Sequence, residues 1–108
     1  MSIIEAAVSH FSSKEVRSLK VSEWNATVYA KNLTLEDKGK LIAKAKDNTT
    51  DYLVYAVIYG AIDGEGKPLF TLEDKLSLKN KVDPDVLARV ANFILGVELS
   101  SEEDVEKN

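Results

Sequence analysis

Residues 63–68 form the segment whose side chains are best suited to metal chemistry, since Asp63 and Glu65 alternate with two glycines. Alternating carboxylates beside glycine are typical of a calcium-binding loop. In a calcium loop that starts at Asp63, the third ligand position falls on Lys67, the required glycine on Pro68, and the closing glutamate on Asp74. These departures favour a plain loop with solvated acids, and we predict no metal site.

His10 is the only histidine, and it has no acid, cysteine or second histidine beside it in sequence. A histidine that binds a metal or moves a proton needs an orienting partner. We therefore interpret His10 as a structural or surface residue.

Tyr52, Tyr55 and Tyr59 recur at helical spacing and form a candidate ligand-stacking face. Tyrosines on an apolar helix more often pack in a core with their hydroxyl groups at its rim, and we favour that interpretation. The chain also has no cysteine, no Gly-x-Ser-x-Gly pattern, no Walker-type loop and no His-Glu-x-x-His pattern. We predict neither an enzyme nor a bound cofactor.

The charge is concentrated at one end of the chain. The sequence has 18 acids, 14 bases and a net charge of -4, and residues 98–108 contain five of the acids and one base, so the remainder is balanced. Nucleic-acid binding normally needs a basic face, so we expect no nucleic-acid partner. Residues 100–108 are predicted to form a flexible acidic tail.

The N-terminal residues lack a basic leader followed by a long apolar stretch, so we expect no signal peptide. The longest apolar run, 52–62, is far shorter than the roughly 20 residues that span a bilayer. The absence of cysteine is typical of a reducing compartment. These features predict a cytoplasmic protein without a membrane partner.

The pentapeptide Thr-Leu-Glu-Asp-Lys occurs at 34–38 and again at 71–75, and each copy predicts a helix start. A threonine that accepts a hydrogen bond from a free backbone N–H, followed by two acids, is favourable at a helix N-terminus. Asp83 followed by Pro84 is a third start of this kind. The repeat therefore marks architecture, not catalysis.

These signals predict an α+β fold that is predominantly α-helical, in one domain over residues 1–99. Apolar spacing predicts a short helix over 2–11, and alternation predicts strands over 15–21 and 27–31 in a β-hairpin spanning 15–32. The helical part, 34–99, contains about four helices: 35–46, 51–62, 72–81 and one from Asp83 to about Leu99. Segment 51–62 is apolar nearly all round and also suits a buried strand, but its length and the Thr50–Asp51 cap favour helix.

The predicted last helix has an unusually wide apolar surface. One side carries Val86, Val90, Phe93 and Val97, and an adjacent side carries Leu87, Ala91 and Ile94. Such a helix is either central or contributes to an oligomer or partner interface. We select the first four residues as candidate partner-binding residues.

The order of these features resembles the tail assembly chaperones of long-tailed, siphovirus-type phages and prophages. The likeness covers about 15–106 and includes Glu23-Trp24 between two strands, the helix opened by Leu33-Thr34, an aromatic-rich helix, segment 63–74, an apolar last helix and an acidic C-terminus. Glu23-Trp24 and segment 63–74 carry it best. The family usually has glycine after Glu-Trp, where this chain has Asn25 and Ala26.

The resemblance implies a non-enzymatic viral tail assembly role in the cytoplasm of the bacterial host. Such chaperones bind the tape measure protein, keep it soluble and help tail tube protein assemble around it, and they are absent from the finished virion. The resemblance also implies a longer product made by programmed ribosomal frameshifting, and it leaves a homo-oligomer open. The mechanism would be a helix in an apolar groove, with Glu102, Glu103 and Asp104 keeping the complexes dispersed.

The alternative is a small helical DNA-binding or regulatory module, because several helices joined by short turns also build helix-turn-helix proteins. Its recognition helix would begin with Asp83 and Asp85 and offer only Arg89 and Asn92. The charge of that helix therefore favours the chaperone.

Overall fold

A computed structural model describes residues 2–97 and confirms the α+β class with a predominance of helix. Along the chain the elements are α1 (Ile3–Ser12), β1 (Arg17–Val21), β2 (Ala26–Ala30), α2 (Leu35–Ala45), α3 (Thr49–Gly60), β3 (Ala61–Ile62), α4 (Lys75–Asn80) and α5 (Pro84–Leu95). The predicted flexible acidic tail, 100–108, lies outside the described residues. The assignment of residues 1–99 to one domain stays a prediction.

The hairpin closes through a short 3₁₀ turn, Ser22–Trp24, and not through a two-residue turn. β1 and β2 pair antiparallel, with Arg17 opposite Ala30 and Val21 opposite Ala26. Asn25 ends the turn with a positive φ of 52°, a left-handed conformation that glycine adopts freely and asparagine tolerates. This geometry explains how Asn25 can occupy a position at which the family that this sequence resembles usually has glycine.

The sheet has a third strand that the sequence did not predict. Residues 61–62 were expected to end the third helix, but that helix ends at Gly60 and the chain becomes extended. Ala61 then lies opposite Ala30 and Ile62 opposite Tyr29. Both residues are apolar and fit a helix or a strand, so only the neighbouring strand decides between the two.

Both pentapeptides cap helices as predicted. Thr34 Oγ1 accepts from the N–H of Asp37 at 3.0 Å, and the Asp37 carboxylate accepts from the N–H of Thr34, which lowers the pKa of Asp37. In the second copy, the Asp74 carboxylate likewise accepts from the N–H of Thr71 at 2.9 Å, while Thr71 Oγ1 accepts from the N–H of Glu73 at 3.3 Å. The second copy opens a 3₁₀ turn, Leu72–Asp74, before α4, so the α-helix there is shorter than the predicted 72–81.

Two helix ends differ from the prediction. The cap of α3 is Asn48, whose side chain accepts from the N–H of Asp51 at 2.9 Å, so the helix begins before Thr50. Helix α5 starts at the predicted Asp83 cap but ends at Leu95, not Leu99, because Gly96 turns into the left-handed conformation with φ 80°. The N–H of Val97 then bonds back to the Asn92 carbonyl, which closes the helix end.

Helix α3 lies at the centre of the core, in contact with α2, α4, α5 and β3. Its buried residues are Val54, Ala56, Val57, Ile58 and Gly60. At its end, a Cβ on Gly60 would collide with the Ile94 side chain of α5. The glycine therefore sets how closely α3 and α5 approach.

A polar cluster fastens α3 to α4 at the rim of the core. Lys79 Nζ lies 2.8 Å from Asp51 Oδ1, and its hydrogen bond is the main cause of the lowered pKa of Asp51. Lys75 Nζ donates to the Tyr55 hydroxyl at 2.9 Å, which raises the pKa of Lys75. The tyrosine thus has its ring against the apolar cluster and its hydroxyl in a polar contact.

Replacing Gly60 with alanine tests the close approach of α3 and α5. The added methyl group must displace Ile94, and such overpacking typically costs about 1–3 kcal/mol. We expect Gly60→Ala to lower the free energy of unfolding by that amount in urea. Gly39→Ala is the matched control, because Gly39 is an exposed residue of α2 and an added Cβ would meet no neighbouring atom. Alanine also favours helix more than glycine does. Equal stability of the two variants would contradict the packing argument.

Candidate partner-binding surface

The four residues selected from the last helix do not share one surface. Val86 and Val90 are buried in the core, Phe93 is half-buried, and Val97, just beyond α5, is 50% exposed. Val86 and Val90 therefore cannot contact a partner while the chain stays folded. The wide stripe exists because α5 packs on α3 and on the first two strands. Partner binding by Phe93 and Val97 stays a prediction.

The C-terminal end of α5 is held by two cationic side chains from distant parts of the chain. Arg17 of β1 donates to the carbonyls of Phe93, at 2.7 Å, and Ile94, at 3.2 Å, and its guanidinium carbon lies 4.9 Å from the centre of the Phe93 ring. Lys38 of α2 donates to the Leu95 carbonyl at 3.0 Å. Positive charge at this end complements the helix dipole. One face of Phe93 is thus already occupied within the chain.

Helix α1 carries an uncovered apolar face. Its structure matches the helix predicted over 2–11, with a capping box between Ser2 and Glu5. None of its residues is buried: Ile3 is 87%, Ile4 69% and Val8 59% exposed. Their spacing predicted an amphipathic helix, but the sequence could not show that the core leaves this face uncovered. Contiguous exposed apolar surface is characteristic of an interaction site.

The two segments that carry the family resemblance meet in space. The Trp24 ring lies edge-on to Phe70 with centroids 6.1 Å apart, and Glu23 Oε2 accepts from Arg89 Nη2 at 2.6 Å. The Arg89 hydrogen bond is the main cause of the lowered pKa of Glu23. These contacts join the hairpin turn to segment 63–74 and α5. They also engage Arg89, one of the two polar side chains that the DNA-binding alternative required.

A second, smaller apolar patch follows the second pentapeptide. Leu72 and Leu76 are more than half exposed and lie four residues apart, and Leu69 just before them is 40% exposed. Their surface is a candidate for a secondary contact.

The residues considered for metal or catalytic chemistry are not assembled into a site. Asp63 Oδ1 accepts from the N–H groups of Glu65, at 2.8 Å, and Lys67, at 2.9 Å, so it holds its own loop. His10 is exposed on α1. Among the described residues, no three side chains of His, Cys, Asp or Glu come close enough to hold a metal ion. No helix within residues 2–97 is both long and apolar enough to cross a membrane.

Comparison with known proteins gives a match in structure. Neither a family model nor a curated protein sequence matches this chain. The solved structure of the bacteriophage HK97 tail assembly chaperone aligns with it over 84% of this chain and 96% of the chaperone, with a TM-score of 0.52 and 14% sequence identity. The chain shares the fold of that chaperone. The resemblance found in the sequence thus extends to the arrangement of helices and strands.

Substitution of Arg17 tests how the end of α5 is held. Arg17→Met keeps much of the side-chain length but removes two hydrogen bonds to helix carbonyls. Hydrogen bonds from charged groups typically contribute about 1.5–3 kcal/mol, so we expect a loss of that order in the free energy of unfolding. Lys20→Met, on an exposed position of the same strand, is the control and should change stability little. An equal effect of both substitutions would contradict this role of Arg17.

Proposed function

We propose that this chain is a phage tail assembly chaperone that binds the tape measure protein, keeps it soluble and promotes assembly of the tail tube around it. The observation that carries the proposal is the fold shared with the HK97 tail assembly chaperone over 96% of that protein. The Glu23-Trp24 turn and segment 63–74, which carry the sequence resemblance, support it by packing together through Trp24 and Phe70.

We place the main client contact on the apolar face of α1. A tape measure protein of the kind implied by the resemblance is long, helical and prone to aggregate, so its apolar stripes need cover. A helix whose apolar side chains are uncovered and belong to no core can pack against such a stripe without disturbing the rest of the fold. Ile4 and Val8, four residues apart, would form the centre of this contact.

Helix α1 alone is too small to hold a client firmly. Full burial of a side chain such as Ile4 contributes about 1.5–3 kcal/mol, and association costs roughly 4–15 kcal/mol in lost freedom. A few buried side chains therefore leave little surplus. We propose a second contact at Phe93 and Val97, with Val86 and Val90 supporting α5 from the core.

The remaining parts of the functional model rest on the resemblance and the charge. The acidic residues Glu102, Glu103 and Asp104 would keep the complex dispersed, since net charge opposes association. The tail tube protein as a second partner, a frameshifted longer product and a homo-oligomer stay predictions. The bacterial cytoplasm, where tails assemble, is the proposed location.

A paired charge substitution on α1 tests the function and the surface together. In Ile4→Lys/Val8→Lys two lysines stand on the apolar face, and in the control Ser9→Lys/Ser12→Lys they stand on the polar face of the same helix. Neither pair alters the core, because α1 contributes no buried residue. Each chain is co-expressed with the tape measure protein of the same phage, and the soluble complex is recovered through a tag on the tape measure protein.

We expect the unmodified chain and the polar-face control to keep the tape measure protein soluble and to co-purify with it. The apolar-face variant should lose most of this binding while its circular dichroism and thermal unfolding stay unchanged. If the unmodified chain fails to increase the soluble tape measure protein, the chaperone proposal is wrong. If both variants bind equally, the α1 assignment is wrong.

A further inference from the structure

A shallow groove lies beside α2. Its apolar floor is formed by Leu33, Leu41 and Tyr59, and its volume is about 130 Å³. A cavity of roughly 150 Å³ accommodates one benzene-sized group. The groove therefore has room for one apolar side chain and not for the whole face of a helix.

Three lysines, Lys31, Lys40 and Lys44, surround this apolar floor, and all three are exposed. Within residues 2–97, Lys31 and Lys44 lie within ion-pair distance of no carboxylate, and Lys40 makes only a 3.7 Å contact with exposed Glu36. The one acid in the lining, Asp37, accepts from the Thr34 N–H in the capping box, and the charges of Lys31 and Lys40 lower its pKa further. The groove thus suits an apolar side chain flanked by acids.

Residues 98–108 contain an apolar residue flanked by acids. Val105 stands between Asp104 and Glu106, with Glu102 and Glu103 just before it. The acids of this segment and the three lysines of the groove are complementary in charge, whereas the remainder of the chain is balanced.

Helix α5, which precedes this segment in sequence, ends beside the groove. Lys38 of α2 holds the Leu95 carbonyl at the end of α5, and Leu33 lines both the groove and the cleft at that helix end. Lys38 and Lys44 are separated by roughly 9 Å along α2, at 1.5 Å per residue. An extended chain covers about 3.3 Å per residue. The few residues between Val97 and Val105 are therefore long enough to reach the groove.

We propose that residues 98–108 bind in cis over this groove, with Val105 on the apolar floor and its acidic neighbours against Lys31, Lys40 and Lys44. The contact is intramolecular and does not depend on a client.

A spin label tests this contact cleanly, because the chain has no cysteine of its own. A nitroxide on Ser101→Cys broadens NMR signals of amides that come near it. In the full-length ¹⁵N-labelled chain at low salt, we expect loss of intensity at Leu41, Lys44 and Tyr59. The loss should shrink at 1 M salt, where the Debye length is about 3 Å.

Two variants test the chemistry of the contact. Replacing the three groove lysines with glutamine should restore the lost intensity, whereas the same charge change at three exposed lysines elsewhere, Lys20, Lys67 and Lys81, should not. Val105→Asp should also restore it, although it adds negative charge, because the apolar anchor is gone.

Broadening that is absent from the groove at low salt, or that survives the groove substitutions, would overturn the proposal. A second sample distinguishes an intramolecular contact from binding between copies. It mixes the spin-labelled chain, at natural isotope abundance, with the ¹⁵N-labelled chain that has neither cysteine nor spin label. Groove broadening in that mixture means binding between copies and also overturns the cis contact. No client is present in these experiments, so their failure leaves the chaperone proposal untouched, and failure of the co-purification leaves the cis contact untouched.

Discussion

Helix α3 is apolar around nearly its whole circumference, so most of its sides have to be covered, and the rest of the structure supplies that cover for all but the tyrosine rim. Val54 and Val57 have no exposed surface. Helices α2, α4 and α5 surround α3, and β3 continues directly from its end into the sheet. The bare glycine at position 60 brings α5 close enough for Ile94 to pack against the α3 backbone.

This requirement determines which apolar surfaces remain for a partner. Covering α3 consumes the inner side of α5, so Val86 and Val90 act in folding and only Phe93 and Val97 remain near the surface. Arg17 then fixes the end of α5 through its carbonyls and the Phe93 ring. Helix α1 takes no part in covering α3, and its isoleucines and valine stay exposed. A binding surface outside the core suits a protein that must hold a client without unfolding itself.

The sequence predicted best what depends on neighbouring residues. The caps at Thr34, Thr71 and Asp83 were found because a capping side chain acts within three residues of itself. The third strand was missed because Ala61 pairs with Ala30, far away in the chain. The spacing of apolar residues correctly indicated a wide stripe on α5, but whether a partner or α3 covers that stripe depends on tertiary packing. For the same reason, the apolar face of α1 was recognised and its lack of cover was not.

Amide hydrogen exchange with and without a tape measure fragment tests most directly the claim that α3 organises the fold while α1 binds the client. In the free chain, amides of α3 should exchange slowly and those of α1 rapidly, because only α3 is enclosed. Adding the fragment should slow exchange across residues 3–12 and leave α3 unchanged. Unchanged exchange in α1 upon formation of a complex, or protection confined to other elements, would contradict the account.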